Sequence, residues 1–316
     1  MNFSFDTMLE RRGMDAIAVE MIGINTPNSN APGAPREGFD AIPMWVADMN
    51  FPTAPSITEH IIRRARHPAF GYFAPSDDYY KAIIHWQESR NGVAGLQRED
   101  VGYENGVLGC VSSALTAFTA PGDGILMHSP TYIGFTHVLE DIGRNPVLSP
   151  LKKDPNGVWR MDYDDMDRKL KENHVHFAIL CSPHNPCGRV WEPEELEQAI
   201  EVFRKNDVIV LSDEIWSDII LEGHKHTPTQ SVSDEARART IAVYAPSKTF
   251  NLAGLIGSYH IVYDPALRDR LRKQSRMSHY NDMNVLSMHA LVGAYSPEGS
   301  AWADELRRVL SRNIDY

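Results

Sequence analysis

The chain has 316 residues, of which 42% are hydrophobic, and this suffices for a sizeable core in one large domain with a smaller one. The net charge of −11 at pH 7, with no basic stripe, argues against nucleic acid as a partner. No apolar run is long enough to span a membrane, residues 1–12 do not resemble a signal peptide, and three cysteines form no disulfide pattern, so we expect a reduced, cytoplasmic protein.

The predicted elements alternate along the chain. Residues 25–38 are rich in Asn, Pro and Gly and are typical of a loop or an arm, and from about residue 50 helices alternate with short apolar runs. Three runs are candidate strands buried on both faces: 177–181, 208–212 and 240–244. The segment between the first two, 193–205, has helical spacing with Pro193 near its start and acids in its first turn. This order predicts an α/β fold with a mostly parallel sheet between helices. Further helices are predicted at 264–275, 285–294 and 301–312.

Each of the three candidate strands runs into polar residues. Asn185 follows the first strand, Asp213 the second and Lys248 the third. Ligands bind beyond the carboxyl ends of parallel strands, so we expect these three side chains to converge on one pocket. Pyridoxal phosphate needs a lysine amine for its aldehyde, a carboxylate for its pyridine nitrogen and an amide for its phenolic oxygen. The sequence therefore predicts a pyridoxal-phosphate site in which Lys248 forms the Schiff base.

The phosphate of such a cofactor needs its own cradle. The glycine-bearing turn Glu104–Gly109 precedes a helical segment at 110–118, where free N–H groups and the helix dipole favour an anion. Ser247, beside the lysine, could add a hydroxyl. Tyr132 follows the apolar run 124–128, and its ring could stack on the cofactor.

Each of these features has a plain structural explanation when it is taken alone. An aspartate after a strand often caps a helix, an Asn-Pro pair is a common turn signal, and a Ser-Lys pair usually lies at the surface. Their ordered recurrence after successive strands favours the cofactor site. The cysteines are interpreted as small buried hydrophobes. The 13 histidines, including His174 and His176, show no metal-ligand spacing, so we expect no metal.

Three stretches carry a resemblance to a known family: 43–51, 70–86 and 245–255. At these residues the chain resembles the fold-type I pyridoxal-phosphate enzymes of the aspartate aminotransferase superfamily. More closely, it resembles their cystathionine β-lyase/C-S lyase branch, the MalY/PatB group. The resemblance implies an aminotransferase-like large domain and a small α/β domain. We expect an N-terminal arm and part of the small domain at 1–49, the large cofactor-binding domain at 50–283, and the start of a truncated small domain at 284–316.

The resemblance also implies roles for the residues around the cofactor ring. Lys248 would carry the cofactor and move the proton of the substrate's Cα. Asp213 would pair with the pyridinium nitrogen, and Asn185 would bond the phenolic oxygen. Tyr132 would stack on the ring.

Other matching positions concern the phosphate and the substrate entrance. Val107 and Leu108 would offer backbone N–H groups to the phosphate, as an addition to Ser247. Tyr72 would reach the phosphate of the partner subunit, which implies a homodimer with shared active sites. Asp48 would lie near the substrate entrance.

The sequence departs from this family at several positions. Trp216 stands where many aminotransferases of the fold have Tyr, Ile256 stands where many have a phosphate-binding Arg, and Ala245 stands where several relatives have Ser. The first two departures favour the lyase branch and shift phosphate binding onto Ser247 and the helix N-terminus. Relatives continue well beyond Tyr316, and the part expected to be missing would complete the small domain and supply the arginine that clamps the substrate's α-carboxylate.

The preferred hypothesis is β-elimination on a small amino-acid substrate, cystathionine or a cysteine S-conjugate, giving a thiol, pyruvate and ammonia. An aminotransferase that uses the same residues and passes the amino group to a 2-oxo acid is the first alternative. A truncated protein that binds the cofactor but catalyses weakly is the second. A nucleotide-binding α/β protein is disfavoured, because no dinucleotide glycine fingerprint follows an early strand.

Overall fold

The computed structural model describes residues 3–24, 31–278 and 281–316. Its helices are α1 Ile17–Glu20, α2 Pro55–Ala65, α3 Asp77–Asn91, α4 Val107–Phe118, α5 Ile133–Asp141, α6 Tyr163–Glu172, α7 Pro193–Lys205, α8 Asp234–Arg239, α9 Pro265–Ser278, α10 Val285–Ala294 and α11 Pro297–Asp315. Its strands are β1 Val101–Glu104, β2 Gly124–Ser129, β3 Asn145–Pro150, β4 Lys152–Lys153, β5 Trp159–Arg160, β6 Phe177–Cys181, β7 Ile209–Asp213, β8 Thr240–Tyr244 and β9 Ser258–Ile261. Residues 25–30 of the predicted loop lie outside the described residues, and 31–36 form neither helix nor strand.

Seven of the described strands form one sheet in the order β1-β9-β8-β7-β6-β2-β3, and β4 pairs with β5 separately. The strands from β8 to β3 run parallel to their neighbours, whereas β9 is antiparallel to both β1 and β8. The predicted α/β fold with a mostly parallel sheet is therefore confirmed. The three predicted strands lie side by side as β6, β7 and β8, and β7 ends on Asp213, one residue later than predicted.

Helices cover both faces of the sheet, because successive residues of a strand point to opposite faces. Within β6, Ile179 packs on one side with Val111 of α4. Leu180, the next residue, packs on the other side with Phe203 of α7. Both neighbours in the strand are apolar for this reason, and the continuous apolar runs in the sequence follow from it.

The ends of two helices follow from local sequence. Before α3, the Ser76 hydroxyl accepts a hydrogen bond from the N–H of Tyr79, and the helix ends at Gly92, whose φ of 67° suits glycine. Before α7, Glu192 and Glu195 form a reciprocal capping box around Pro193 in the first turn. These signals explain why the predicted 193–205 helix has the observed bounds.

A third apolar cluster joins the two ends of the chain. Leu291 of α10 and Trp302 of α11 are buried together with Ile57 of α2 and Ile83 of α3. Residues that the sequence predicts to lie in different domains therefore share one core. The predicted domain boundaries at residues 49/50 and 283/284 stay predictions. Helix α11 begins at Pro297, four residues before the predicted start, because Ser296 caps it through the N–H of Gly299.

Candidate active site

A cleft of about 530 Å³ lies beyond the carboxyl ends of β6, β7 and β8. These strands are in register, with Cys181 opposite Asp213 and Asp213 opposite Val243, so the loops that follow them begin at one edge of the sheet. Seven predicted site residues line the cleft: Val107, Leu108, Tyr132, Asn185, Asp213, Ser247 and Lys248. The structure brings these seven together, and their individual roles stay predictions.

Asp213 is the buried carboxylate of the cleft. Its side chain is only 5% exposed, and its Oδ1 accepts a hydrogen bond from the N–H of Ile215 at 3.0 Å. Burial raises the pKa of Asp213 to about 7, and the nearby charge of Glu214 acts in the same direction, whereas the Ile215 N–H and the Lys248 charge act against it. A carboxylate that is costly to ionise here is suited to a cationic partner such as a protonated pyridine nitrogen.

Lys248 lies in the loop after β8 and is partly buried. Burial lowers the pKa of Lys248, and the charges of Asp48 and Asp213 act against that shift. Its Nζ lies 5.7 Å from the ring centroid of Trp216. A lysine whose pKa is lowered is more often the free amine, which is the form that reacts with an aldehyde.

The N-terminus of α4, where the phosphate site is predicted, forms one side of the cleft. Gly106 precedes the helix with a φ of 76°, a conformation that L-residues with a side chain rarely adopt. The helix begins at Val107, three residues before the predicted start at 110, so Val107 and Leu108 lie in its first turn. The N–H groups of a first turn have no acceptor within the helix and favour an anion.

Asn281 fixes the turn before α4, and sequence reasoning missed it. Its Oδ1 accepts from the N–H of Asn105 at 2.6 Å, and its Nδ2 donates to Glu104 Oε2 at 2.7 Å and to the carbonyl oxygen of Tyr103 at 3.2 Å. These partners are 176 to 178 residues away along the chain, so no local pattern could have indicated the contact.

Beneath the same turn, Glu104 and His260 form a buried pair with 2.9 Å between Oε1 and Nδ1. With Cys110, they make a group of three potential metal ligands. The carboxylate already accepts hydrogen bonds from His260 through one oxygen and from Asn281 through the other. This arrangement satisfies Glu104 without an ion, and the absence of a metal stays a prediction.

Tyr132 and Asn185, the residues predicted to contact the cofactor ring, also line the cleft. Tyr132 directly precedes α5, and its ring packs edge-to-face against Phe135 with 5.4 Å between centroids. Asn185 lies in the loop after β6, where its N–H donates to Cys181 Sγ at 3.4 Å. These contacts hold the Tyr132 ring and the Asn185 backbone at the edge of the sheet that the sequence predicted.

Two residues named from the resemblance do not line the cleft. The side chain of Tyr72 is fully exposed. Asp48 forms an ion pair with Arg11, 2.5 Å between Oδ2 and Nη2, next to Trp45–Ala47, which do line the cleft. Neither Arg11 nor Trp45–Ala47 was singled out as a site residue from the sequence.

Two of the three departures from the family pattern face the cleft. Trp216 and Ile256 line its wall, together with Ile215 and Ala253. Among the described residues that line the cleft, Asp213 and Lys248 alone carry a charge. No arginine of the described part of the chain lines the cleft. The assignment of phosphate binding to Ser247 and the first turn of α4 stays a prediction.

Comparison with known proteins shows the family to which the chain belongs. Residues 42–316 match the family model for aminotransferase class I and II. The chain is 38% identical to cystathionine beta-lyase PatB of Bacillus subtilis over 87% of this chain and 70% of the relative. It is 32% identical to protein MalY of Escherichia coli over 88% of this chain and 70% of that protein.

Solved structures give the same result. Cystalysin from Treponema denticola, which contains pyridoxal 5'-phosphate, superposes with a TM-score of 0.90 at 29% identity, covering 99% of this chain and 77% of that one. The pyridoxal-phosphate-bound C-S lyase from Staphylococcus hominis superposes with a TM-score of 0.87 at 29% identity, covering 100% of this chain and 76% of that one.

The chain therefore belongs to the aminotransferase class I and II family. Within the family, it groups with the pyridoxal-phosphate-dependent carbon–sulfur lyases. Among the described residues, no helix is both long and apolar enough to cross a membrane.

The cleft fits pyridoxal 5'-phosphate, the cofactor of this family. The first turn of α4 offers N–H groups beside Gly106, and a buried carboxylate whose pKa is raised stands ready for a cationic ring nitrogen. Lys248, with its lowered pKa, is available to the aldehyde. When bound, the cofactor supplies that aldehyde and an electron-withdrawing pyridinium ring.

Proposed function

We propose that the protein catalyses β-elimination on L-cystathionine or a cysteine S-conjugate, releasing a thiol, pyruvate and ammonia. The observation that carries this proposal is the convergence of Lys248, Asp213 and the N-terminus of α4 on one cleft. The named activities of PatB and of the Staphylococcus hominis protein support the reaction type. The absence of arginine from the described lining, with Ile256 in its place, supports the lyase over a typical aminotransferase.

In this proposal Lys248 Nζ holds the cofactor in the resting protein. With a substrate in the cleft, Nζ would take the proton from Cα, and its ammonium form would protonate the departing sulfur. Asp213 would keep the ring nitrogen protonated, Asn185 would bond the phenolic oxygen and Tyr132 would pack on the ring. Each side chain lies in the cleft that these roles require.

The phosphate would be held by neutral groups. The N–H groups of Val107 and Leu108 and the hydroxyl of Ser247 would donate to it, with the helix dipole of α4 adding favourable charge. The Asn281 contacts would keep the turn before α4 in the geometry that this needs.

The test is to load the protein with the cofactor, add cystathionine and measure pyruvate and free thiol. Equal amounts of the two products are expected from the wild type. Lys248→Ala should lose at least about 10³-fold in rate, because one group moves both protons. Lys205→Ala, at the exposed end of α7, is the matched control and should leave the rate unchanged. A cofactor-loaded wild type that releases neither product would refute the lyase.

An aminotransferase is the second candidate, since the family model and a 34% identical structure titled as a putative aminotransferase from Clostridium difficile favour it. Adding a 2-oxo acid separates the two reactions. Transamination consumes the oxo acid stoichiometrically and releases no thiol. A protein that binds the cofactor yet gives neither product is the weak catalyst of the third hypothesis.

We further propose a cytoplasmic homodimer with shared active sites. Two segments support the dimer by exposing large apolar side chains: Phe39, Ile42, Met44, Phe70 and Tyr72. Tyr72 would reach the partner's phosphate. Mixing Lys248→Ala with Tyr72→Ala subunits should restore up to about a quarter of the activity, because hybrid dimers regain one intact site. No recovery would refute the shared site. The three unpaired cysteines support the cytoplasmic location.

A further inference from the structure

Residues 45–51, here called the strap, form part of the cleft wall through Trp45, Val46 and Ala47. Asn251, three residues after Lys248, holds the strap with both ends of its amide. Its Oδ1 accepts from the N–H of Met49 at 3.3 Å, and its Nδ2 donates to the Met49 carbonyl oxygen at 2.9 Å. The strap is thereby fixed to the loop that carries the lysine.

Arg11 holds the strap from a different segment. Its Nη1 donates to the Met49 carbonyl oxygen at 3.3 Å and to Asn50 Oδ1 at 3.4 Å, and its Nη2 pairs with Asp48 Oδ2 at 2.5 Å. The side chains of Arg11 and Asp48 are only 15% and 21% exposed. Solvent and salt therefore screen this pair less than a surface pair.

The strap also brings a charge to the lysine. Burial lowers the pKa of Lys248, and two carboxylates act against that shift, namely Asp48 from the strap and Asp213 from the end of β7. The Trp216 ring faces Nζ from the loop after β7. Arg11 is the cation next to Asp48. A cation paired with a carboxylate weakens the field of that carboxylate at a third charge.

We propose that Arg11 and Asp48 are positioning residues that set the proton occupancy of Lys248 Nζ. The Asp48 carboxylate favours the ammonium form, which can protonate a departing sulfur. Arg11 limits that effect, so that the free amine, which attaches the cofactor and takes the Cα proton, stays accessible. The inference rests on the proposed function, because it assumes that Lys248 carries the cofactor.

The test follows cofactor attachment rather than turnover. Pyridoxal phosphate is added to the cofactor-free full chain from neutral to alkaline pH, and the rate is followed by absorbance at roughly 410–430 nm. The midpoint of the rate profile reports deprotonation of Nζ. Asp48→Asn should lower that midpoint by about one pH unit, and Arg11→Met should raise it by a similar amount.

Matched variants separate charge from structure. Arg11→Lys keeps the charge and should keep the midpoint near that of the wild type. Arg12→Met, at the exposed neighbouring position, should not move it. Asn251→Ala releases the strap without removing a charge. If Arg11→Met does not fold, Arg11→Gln carries the same expected upward shift.

Failure of this inference and failure of the proposed function give different results. The inference is overturned if the midpoints of Asp48→Asn and Arg11→Met shift in the same direction, or if neither midpoint shifts. It is also overturned if Asn251→Ala shifts the midpoint as much as Arg11→Met does. A wild type that gains no band on adding the cofactor refutes the proposed function instead.

Discussion

Replacing Asp213 with Asn is expected to change how the stability of the cofactor-free protein depends on pH. Burial raises the pKa of Asp213 from its ordinary value of 3.8 to about 7. One pKa unit corresponds to about 1.4 kcal/mol, so ionising this carboxylate costs the folded state up to about 4 kcal/mol. Because the folded pKa is the higher one, the associated stability is fully present below the unfolded pKa and is lost as pH rises through 7.

Urea unfolding of the cofactor-free wild type and of Asp213→Asn, at mildly acidic and mildly alkaline pH, measures this cost. Starting from about pH 5.5, the wild type should lose about 2 kcal/mol relative to the variant on going to alkaline pH, because roughly 1.5 pH units below the folded pKa are crossed at about 1.4 kcal/mol each. Adding pyridoxal phosphate should remove that loss in the wild type alone, because the pyridinium pairs with the carboxylate. Asp141→Asn, an exposed carboxylate on α5, is the control. Parallel pH dependence in wild type and Asp213→Asn would refute the role of burial.

Three further predictions concern the cradle and the core. Gly106→Ala should weaken cofactor binding in equilibrium dialysis and lower the free energy of unfolding in urea by about 1 kcal/mol, because φ is 76° there. Gly109→Ala is the control and should be nearly neutral in both assays, because its added Cβ meets only Asn105 Cβ at 3.7 Å. Asn281→Ala should raise the cofactor's Kd by about tenfold through loss of the contacts before α4, and Asn206→Ala, after α7, should leave it unchanged. Ile83→Ala, fully buried on α3, should destabilise the protein by about 2–5 kcal/mol in urea, and a loss under 1 kcal/mol would contradict the packing described.

The strand-end pattern predicted the centre of the site for a physical reason. Asn185, Asp213 and Lys248 each follow a strand of the same parallel sheet, and neighbouring parallel strands end at one edge. Residues that follow successive strands in the sequence therefore lie close together in the structure. The contacts of Asn281 with Glu104 and of Arg11 with Asp48 join segments 177 and 37 residues apart, and no periodicity records them.

The two helices α4 and α11 differ in how clearly the local sequence marks their first residue. Helix α11 begins after Ser296, a serine before Pro297 and Glu298, which is a recognisable N-terminal signal. Helix α4 begins after Gly106 without a side-chain cap, so its first turn could be located only once the backbone was known. The predicted phosphate site depends on that turn, so the sequence located it less precisely than it located the strand ends.

The position of β9 in the sheet affects how often the segment that carries Lys248 opens compared with the strap. The lysine loop joins β8 to β9, and both strands lie in the interior of the sheet. Amide hydrogen exchange in these strands is therefore expected to require global unfolding, whereas the strap, held by a few side-chain contacts, can open locally. We therefore expect the wall of the cleft to open many times, allowing small molecules to enter and leave, for each time that the strands on either side of Lys248 separate.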